Sequence, residues 1–300
     1  MLKCVVFAVT EYGFHYLERY RDSIEEILDA GGVKTLFLQY KEDIDYMERT
    51  LRDINRGEDS CFKEEALYIT DDATGLKYLL KQNCYVIALY HDQNRDASFA
   101  DALYVVDNVE ELTLKAYDEV YRRLAGIPWD ILETQRLKVR ESTVADVKDF
   151  YRIYREPSIT YYMEDLFQDP DEENAYMESY IRQIYGFYGF GMWTVLLKST
   201  GQVIGRAGLS IREGYDLPEL GFVIDVPHQG RGYALEICGA ILTYAKDELC
   251  FAQVQALVQK ENEASLNLLK KLGFRYEKNV VEKGQEYLLM IRNLNDPVGR

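Results

Sequence analysis

Long uncharged stretches are missing from this 300-residue chain. The longest, residues 183–197, covers 15 positions and is interrupted by three glycines, whereas a membrane-spanning helix needs about 20 mostly apolar residues. The apolar run near the N-terminus, Val5 to Val9, is too short for the core of a signal peptide. We therefore expect a protein with no membrane segment that acts in the cytoplasm.

Cysteine and histidine are scarce as well, with five and three residues. The cysteines are odd in number and form no Cys-x-x-Cys pair, so neither a disulfide framework nor a zinc site is indicated. The histidines are too scattered along the sequence for a metal cluster. We expect reduced thiols and no metal site.

Basic residues are fewer than acidic ones. The chain has 35 Lys and Arg residues and 51 Asp and Glu residues, which gives a net charge of −16. Such a chain repels phosphate backbones and anionic lipid, which excludes nucleic acid and membrane surfaces as general partners. The hydrophobic content of 47% is sufficient for packed cores, and the length suggests two domains of about 150 residues.

The first 126 residues alternate short apolar runs with amphipathic segments, a pattern typical of βα units around a parallel sheet. One helix is predicted from Leu17 to Leu28, and another carries the apolar positions 44, 47, 51 and 54. These features predict a Rossmann-like, three-layer α/β domain over residues 1–126. The predicted strands run from Val5 to Val9, Val33 to Leu38, Ala66 to Ile69, Tyr85 to Leu89 and Leu103 to Val106.

The segment Gly126-Ile127-Pro128-Trp129 interrupts this alternation, since glycine and proline punctuate helices. After it, helices are predicted at 146–154 and 173–184, followed by strands at 193–197, 203–211 and 220–224. A long helix, a strand at 254–258, a helix at 264–272 and a strand at 287–291 complete the chain. This order predicts a second, α+β domain over 133–300 with a mixed, mostly antiparallel sheet.

A glycine-rich turn, Val226-Pro-His-Gln-Gly-Arg-Gly-Tyr-Ala234, leads from a predicted strand into the long helix. Such a turn directs unpaired backbone N–H groups, reinforced by the helix dipole, at one point where a pyrophosphate fits. Gln229 and Arg231 are candidate additional donors. Taken alone, such a turn is more often a tight strand-to-helix connection than a phosphate site.

The turn resembles motif A of the GNAT acyltransferases, Gln/Arg-x-x-Gly-x-Gly/Ala, with Gln229, Gly232 and Ala234 at the motif positions. Three further segments resemble that family in the same order, from Glu133 to the C-terminus. One of them is similar to the first strand of the branch that contains the ribosomal-protein N-terminal acetyltransferases. The segments are Thr134-Gln-Arg-Leu-Lys-Val-Arg140, Glu219-Leu-Gly-Phe-Val-Ile224, and Asn262-Glu-Ala-Ser265 with Leu272-Gly-Phe274.

The resemblance implies acetyl-CoA as co-substrate and a small-molecule or peptide amine as acceptor. The pyrophosphate of acetyl-CoA would lie on the backbone amides of Gln229, Gly230, Arg231, Gly232, Tyr233 and Ala234. The pantetheine arm would follow the strand through Val223 and Ile224. Asn262 and Ser265 would lie near this arm.

The resemblance also implies catalytic roles. The Val223 N–H would stabilise the oxyanion, and Glu219 would accept the amine proton through water. The other interpretation of Glu219 is a strand carboxylate in an ion pair. Many family members have a tyrosine as thiolate acid where this chain has Leu269, so the acid stays unassigned, with Ser265, another tyrosine and water as candidates.

An acidic segment, residues 164–173 with six carboxylates, falls where the family receives its acceptor. It either attracts a cationic amine or is simply a solvated surface. Aromatic residues nearby either line an acceptor pocket or belong to the core. They are Tyr161, Tyr162, Tyr185, Tyr188 and Trp193.

The first domain resembles, in Asp71-Asp72-Ala-Thr-Gly-Leu76 and Ala100 to Asp107, the closing part of haloacid-dehalogenase-like phosphatases. That family carries an Asp-x-Asp nucleophile after its first strand, whereas this chain has Ala8-Val9-Thr10. We therefore expect a degenerate, noncatalytic domain in which Asp71 or Asp72 caps a helix.

Together these observations predict an acetyl-CoA-dependent N-acetyltransferase that acetylates a primary amine by direct attack. The alternative is a noncatalytic acyl-CoA-binding regulatory protein, which Leu269 keeps open. The sequence identifies neither the acceptor nor the oligomeric state.

Overall fold

The computed structural model describes residues 1–40, 48–49, 63–163 and 165–296. They form two compact units, Met1–Ile127 and Pro128–Arg300. The helix predicted around positions 44–54 falls on residues that lie mostly outside this description. In the part of the chain that is described, no helix combines the length and the apolar character needed to cross a bilayer.

The first unit contains a five-stranded sheet in the order β2-β1-β3-β4-β5. All neighbouring strands pair in parallel. The strands agree with the predicted runs to within one or two residues: β1 Cys4–Val9, β2 Lys34–Gln39, β3 Ala66–Thr70, β4 Tyr85–Leu89 and β5 Tyr104–Val106.

Helices cover both faces of this sheet. Successive side chains of a strand point to opposite faces, so each strand contributes to a core on either side. Val5, Phe7 and Val9 pack in one core with residues of the helices α1, α2 and α4. Val6 and Ala8 pack in the other core with residues of α3. The helices are α1 Glu11–Glu18, α2 Arg21–Ala30, α3 Ala73–Lys81 and α4 Leu114–Leu124, with short 3-10 turns at Lys63–Glu65 and Val109–Glu111.

Two expectations for this unit need correction. The single helix predicted from Leu17 to Leu28 is two helices, separated at Tyr20, whose φ of −117° and ψ of 2° leave the helical region. Cys4 is disulfide-bonded, whereas Cys84 and Cys238 are buried free thiols. An odd number of cysteines excludes complete pairing but not a single bond.

The second unit contains an eight-stranded sheet in the order β12-β13-β11-β10-β9-β8-β7-β6. Its neighbours pair antiparallel except β10 and β11, which are parallel. The strands are β6 Asp130–Glu133, β7 Leu137–Arg140, β8 Met192–Leu197, β9 Val203–Ser210, β10 Glu219–Ile224, β11 Gln253–Val258, β12 Arg275–Glu282 and β13 Gln285–Asn293.

Two of these strands, β6 and β12, were not predicted. They lie at the two edges of the sheet, and most residues of β12 are exposed. An edge strand with polar side chains on both faces lacks the apolar pattern by which sequence identifies a strand.

Helices cover both faces of the second sheet as well. On one face α9 and α10 pack over Trp193, Ile204 and Leu209. On the other, α5 and α7 pack over Val203 and Val223. The helices are α5 Val147–Tyr154, α6 Pro157–Thr160, α7 Pro170–Tyr180, α8 Gly186–Tyr188, α9 Tyr233–Asp247 and α10 Glu263–Lys271; a π-helical turn, Ile181–Tyr185, joins α7 to α8, and 3-10 turns lie at Val144–Asp146 and Val226–His228.

The two parallel strands separate soon after they meet. In the described part of the chain, Glu219 opposite Gln255 is the one register pair that joins β10 to β11. Beyond it, towards Ile224, β10 continues to pair only with β9. The edge of β10 that faces β11 is thereby left without a strand partner, and the glycine-rich turn follows directly.

Candidate functional site

The turn after β10 leaves the start of α9 open. Gly230 and Gly232 have φ angles of +72° and +80°, a region that favours glycine. Gly232 is the N-cap of α9, and no side chain caps the helix. A Cβ added at Gly230 would meet no atom within 4 Å, and one at Gly232 only the Arg136 guanidinium at 3.5 Å. Uncapped N–H groups beside open space are what a phosphate group requires.

Three side-chain contacts hold this turn in place. Arg152 pairs with Asp225 at the end of β10. The Gln229 side-chain amide donates to the Ile224 carbonyl at 2.8 Å, so this side chain closes the turn. Arg136 donates to the Arg231 carbonyl at 3.0 Å. Gln229 therefore differs from the expectation of a free phosphate donor, because one of its N–H groups is already engaged in the turn.

A carboxylate in the first turn of α9 holds the segment that precedes β7. Glu236 accepts hydrogen bonds from the Thr134 hydroxyl at 2.6 Å, the Arg136 N–H at 3.0 Å and the Arg136 guanidinium at 2.6 Å. Burial opposes the charge on Glu236, but these hydrogen bonds outweigh it and lower the pKa of its carboxyl. The Arg136 guanidinium also lies 4.3 Å from the centre of the Tyr233 ring.

The free edge of β10 is formed by residues other than Val223. Asp225 donates its N–H to Ile204 of β9 at 2.7 Å. Backbone groups alternate along a strand, so the N–H of Val223, which lies opposite Arg206, also points to β9. The N–H groups of Phe222 and Ile224 then point to the β11 side. An oxyanion role would require the Val223 N–H to point to the free side of β10. The orientation towards β9 therefore contradicts the role expected for Val223.

Glu219, the candidate proton acceptor, is 8% exposed and is held by Arg212. The Arg212 guanidinium donates to both carboxylate oxygens, with Nη2 at 2.9 Å from Oε1. The ion pair that the sequence left open as an alternative is therefore present. The β9–β10 hairpin brings the two residues together, and its register is the signal by which Arg212 would have been found.

Asn262 lies at the N-cap of α10, where its side-chain oxygen accepts the Ser265 N–H at 3.1 Å. No acceptor for its side-chain N–H groups is found among the described residues, so these groups can reach a ligand. Leu269 is 2% exposed and belongs to the core, so this position contributes no acid to the site. The Tyr162 hydroxyl donates to the Glu261 carbonyl at 3.0 Å, next to Asn262.

The acidic segment is only partly a charged surface. Glu164 lies outside the described residues. Glu173 is 2% exposed and accepts the Phe167 N–H at 3.1 Å, so it does not face solvent. Asp169 caps α7 by accepting the Asp171 N–H at 2.9 Å.

The five aromatic candidates separate into two groups. Tyr185 and Trp193 are buried in the core, and burial raises the pKa of Tyr185. Tyr161, Tyr162 and Tyr188 are partly or fully exposed. Tyr188 lines a cavity beside α7.

In the first unit, the polar side chains at the carboxyl ends of the strands bind one another. Asp71 accepts the Thr10 N–H at 2.7 Å and the Thr10 hydroxyl at 2.6 Å. The His91 Nε2 lies 2.9 Å from the same carboxylate, and both side chains are almost completely buried. Asp72 caps α3 by accepting the Gly75 N–H at 2.7 Å. Among the described residues, no group of His, Cys, Asp or Glu is arranged to hold a metal ion.

Residues 136–275 match the model of the acetyltransferase (GNAT) domain. The uncharacterized protein YkkB of Bacillus subtilis is 28% identical over 152 residues, which cover 50% of this chain and 87% of YkkB. The uncharacterized N-acetyltransferase YoaA of the same organism is 27% identical over 148 residues, or 49% of this chain and 84% of YoaA.

Among solved structures, spermidine N-acetyltransferase from Vibrio cholerae in complex with CoA and spermine is 22% identical, with a TM-score of 0.46; the match covers 54% of this chain and 97% of that one. The match to the domain model and the relatives named as N-acetyltransferases agree with each other. The second unit carries a GNAT acetyltransferase domain, and the protein is an acetyltransferase.

Proposed function

We propose that this protein transfers the acetyl group of acetyl-CoA to a primary amine in the cytoplasm, by direct attack of the amine on the thioester. The acceptor is a small cationic amine or a peptide N-terminus. The observation that carries the proposal is the open turn from Gln229 to Ala234, where α9 has no side-chain cap and both glycines border free space. GNAT acetyltransferases use acetyl-CoA, and such a turn fits its pyrophosphate.

The unpaired edge of β10 supports the position of the pantetheine arm. Amide groups of the arm would pair with the N–H and C=O groups of β10 that have no partner on β11. Asn262 would contribute a side-chain N–H from the start of α10. In this arrangement residues 230–234 bind the diphosphate, with Arg231 as an exposed additional cation.

The reaction requires a new C–N bond and the loss of the C–S bond. The amine nitrogen attacks the thioester carbon, and the resulting oxyanion needs N–H donors. We assign this role to the N–H groups of Phe222 or Ile224 in place of Val223, because they point to the free side of β10. Glu219 receives the amine proton through water, and the departing thiolate takes a proton from water.

The test is acetyl transfer itself. The purified full chain is incubated with acetyl-CoA and a panel of amines and peptide N-termini, and products are identified by mass spectrometry. We expect a mass gain of one acetyl group on at least one primary amine together with free CoA. Tight binding of acetyl-CoA without turnover on any member of the panel would instead support the regulatory alternative, which the comparisons do not favour.

The role of Glu219 is tested by comparing Glu219→Gln with Arg212→Gln. A proton acceptor contributes about 10²–10⁴-fold to the rate, so Glu219→Gln should lower kcat by that order. Arg212→Gln should change kcat less. Equal losses of kcat in the two variants would leave Glu219 as an ion-pair residue only.

For residues 1–126 we propose a degenerate, Rossmann-like relative of the haloacid-dehalogenase-like phosphatases that serves binding, docking or stability. Ala8-Val9-Thr10 stands where that family has its Asp-x-Asp motif and carries no carboxylate, and the Thr10 hydroxyl donates to Asp71. The expected outcome is no magnesium-dependent hydrolysis of a phosphate ester. Asp72→Asn should leave acetyl transfer intact, because Asn caps helices as well as Asp does. Hydrolysis that disappears in Asp72→Asn would contradict this assignment.

A further inference from the structure

A cavity of about 510 Å³ lies between the last turn of α7, the π-helical turn and the end of β9. Its size is within the range of small-molecule sites, about 300–1,000 Å³. Seven of its eleven lining residues are aromatic or aliphatic, and four of these are the aromatic residues Tyr176, Tyr180, Tyr188 and Phe190. Of the described residues that line it, Glu213 alone carries a charge.

The aromatic wall is held in place from the sheet side. The Tyr180 hydroxyl accepts the Met192 N–H at 2.8 Å, and the Tyr185 hydroxyl donates to the Met192 carbonyl at 2.5 Å. Between these tyrosines the chain forms the π-helical turn Ile181–Tyr185. Short π-helical turns are rare and are frequently found at functional sites. The faces of Tyr176 and Tyr188 stay accessible, with 45% and 42% exposure.

The cavity adjoins the residue proposed as proton acceptor. Ser210 lines it and lies directly opposite Glu219 in the register of β9 and β10. Directly opposed side chains lie on the same face, with Cβ atoms about 4.5–5.5 Å apart. A molecule bound in the cavity can therefore extend a short polar group towards Glu219 and the free edge of β10.

The lining selects the chemistry of this molecule. Aromatic faces attract flat apolar groups and cations, and one carboxylate favours a single positive charge. A polyamine would place further ammonium groups against apolar walls without partners, which is costly. An anion would meet Glu213 and no lining cation.

We propose that this cavity binds the acceptor, and that the acceptor is a primary amine with one positive charge and an aromatic body, of the arylalkylamine class. The inference rests on the proposed acetyl transfer and names its substrate class. The aromatic body lies against Tyr176 and Tyr188, and the amine extends past Ser210 towards β10.

Steady-state kinetics with 2-phenylethylamine, ethylamine and spermidine test this assignment. We expect kcat/KM for 2-phenylethylamine to exceed that for the other two by about tenfold or more, the equivalent of about 1.4 kcal/mol. Tyr188→Ala should raise KM for 2-phenylethylamine and lower kcat/KM for this amine much more than for ethylamine. Glu213→Gln should lower kcat/KM for 2-phenylethylamine about threefold, as expected for an exposed charge.

Two variants serve as matched controls. Tyr161→Ala removes an aromatic ring that is 74% exposed, and Glu178→Gln removes an exposed carboxylate of α7. Neither residue lines the cavity, so both variants should keep the preference for 2-phenylethylamine. A preference for spermidine, or equal losses for all three amines in Tyr188→Ala, would overturn the inference.

Binding without turnover separates this inference from the proposed function. 2-Phenylethylamine is titrated by calorimetry into the protein saturated with CoA. Binding that weakens in Tyr188→Ala but not in Tyr161→Ala supports the cavity even if no acetyl transfer is detected. Acetylation of other amines without any binding of 2-phenylethylamine overturns the cavity assignment and leaves the acetyltransferase proposal intact.

Discussion

Both units place polar groups where a strand ends and a helix begins, but they use them in opposite ways. In the first unit, Asp71 after β3 is bound by Thr10 after β1 and His91 after β4. In the second, the turn after β10 leaves the first N–H groups of α9 without a side-chain partner. One arrangement satisfies its polar groups internally, and the other leaves donors for a ligand.

The comparison shows that residue type alone does not identify a site. An acidic pair after a strand looks catalytic in sequence, yet the Asp71 carboxylate accepts three hydrogen bonds from its own unit and Asp72 caps α3. The glycine turn looks unremarkable in composition, yet it exposes the groups that anions bind. What distinguishes the two is whether each donor and acceptor already has a partner.

Removal of Asp71 should produce the largest effect. Asp71→Ala leaves Thr10 and His91 with unsatisfied buried groups, so the first unit should lose about 3 kcal/mol in free energy of unfolding. Both tryptophans, Trp129 and Trp193, lie in the second unit. Urea unfolding followed by tryptophan fluorescence therefore reports on that unit, whereas far-UV circular dichroism reports on both.

We expect the circular dichroism transition of Asp71→Ala to shift to lower urea and the tryptophan transition to stay in place, with acetyl-CoA affinity retained. Asp101→Ala, which removes an exposed carboxylate of the same unit, is the control and should shift neither. If Asp71→Ala unfolds like the wild type, the cluster is not a closed structural network.

Gly232→Glu should close the open turn. The side chain is strained at a φ of +80° and places a negative charge where the proposed pyrophosphate binds. We expect the Kd of acetyl-CoA to rise at least tenfold, about 1.4 kcal/mol or more, in calorimetric titrations. Gly201→Glu imposes the same kind of strain at a φ of +71° in the β8–β9 turn and should leave this Kd unchanged. Unchanged affinity in a folded Gly232→Glu variant would refute the assignment.

Glu236 offers a weaker way to disturb the same turn, through pH. The pKa of its carboxyl is lowered in the folded state, so its stabilising contribution is present above its ordinary pKa of 4.5 and is lost as the pH falls through the folded value. The tryptophan-detected stability of the second unit should therefore decline below about pH 4.5, and less steeply in Glu236→Gln. Glu178→Gln should decline as the wild type does; identical acid curves for all three proteins would exclude Glu236 as a contributor.

Sequence was sufficient for the parts of this molecule that depend on local pattern. The five parallel strands, the turn from Gln229 to Ala234 and the helix after it follow from apolar periodicity and glycine placement. The sequence did not predict contacts between residues that are far apart in the chain. Glu236 binds Thr134, 102 positions away, and His91 contacts Asp71, which follows a neighbouring strand. Neither the edge strand β12 nor the orientation of the Val223 N–H has a local signal, because both depend on sheet register.

The acidic segment, residues 164–173, contains both kinds of carboxylate and so allows the same contrast to be tested on a small scale. Among its described carboxylates, Glu173 is buried and bound, whereas Asp165, Asp169, Asp171 and Glu172 are exposed. If the exposed carboxylates attract the acceptor, replacing Asp169, Asp171 and Glu172 by Asn, Asn and Gln should lower kcat/KM for a cationic amine by a few-fold. Added salt should weaken the wild-type preference for that amine, because exposed charges are screened over a Debye length of about 8 Å. Glu178→Gln supplies the control for one exposed charge on α7. Equal rates for the triple variant and the wild type at low salt would identify the segment as a solvated surface.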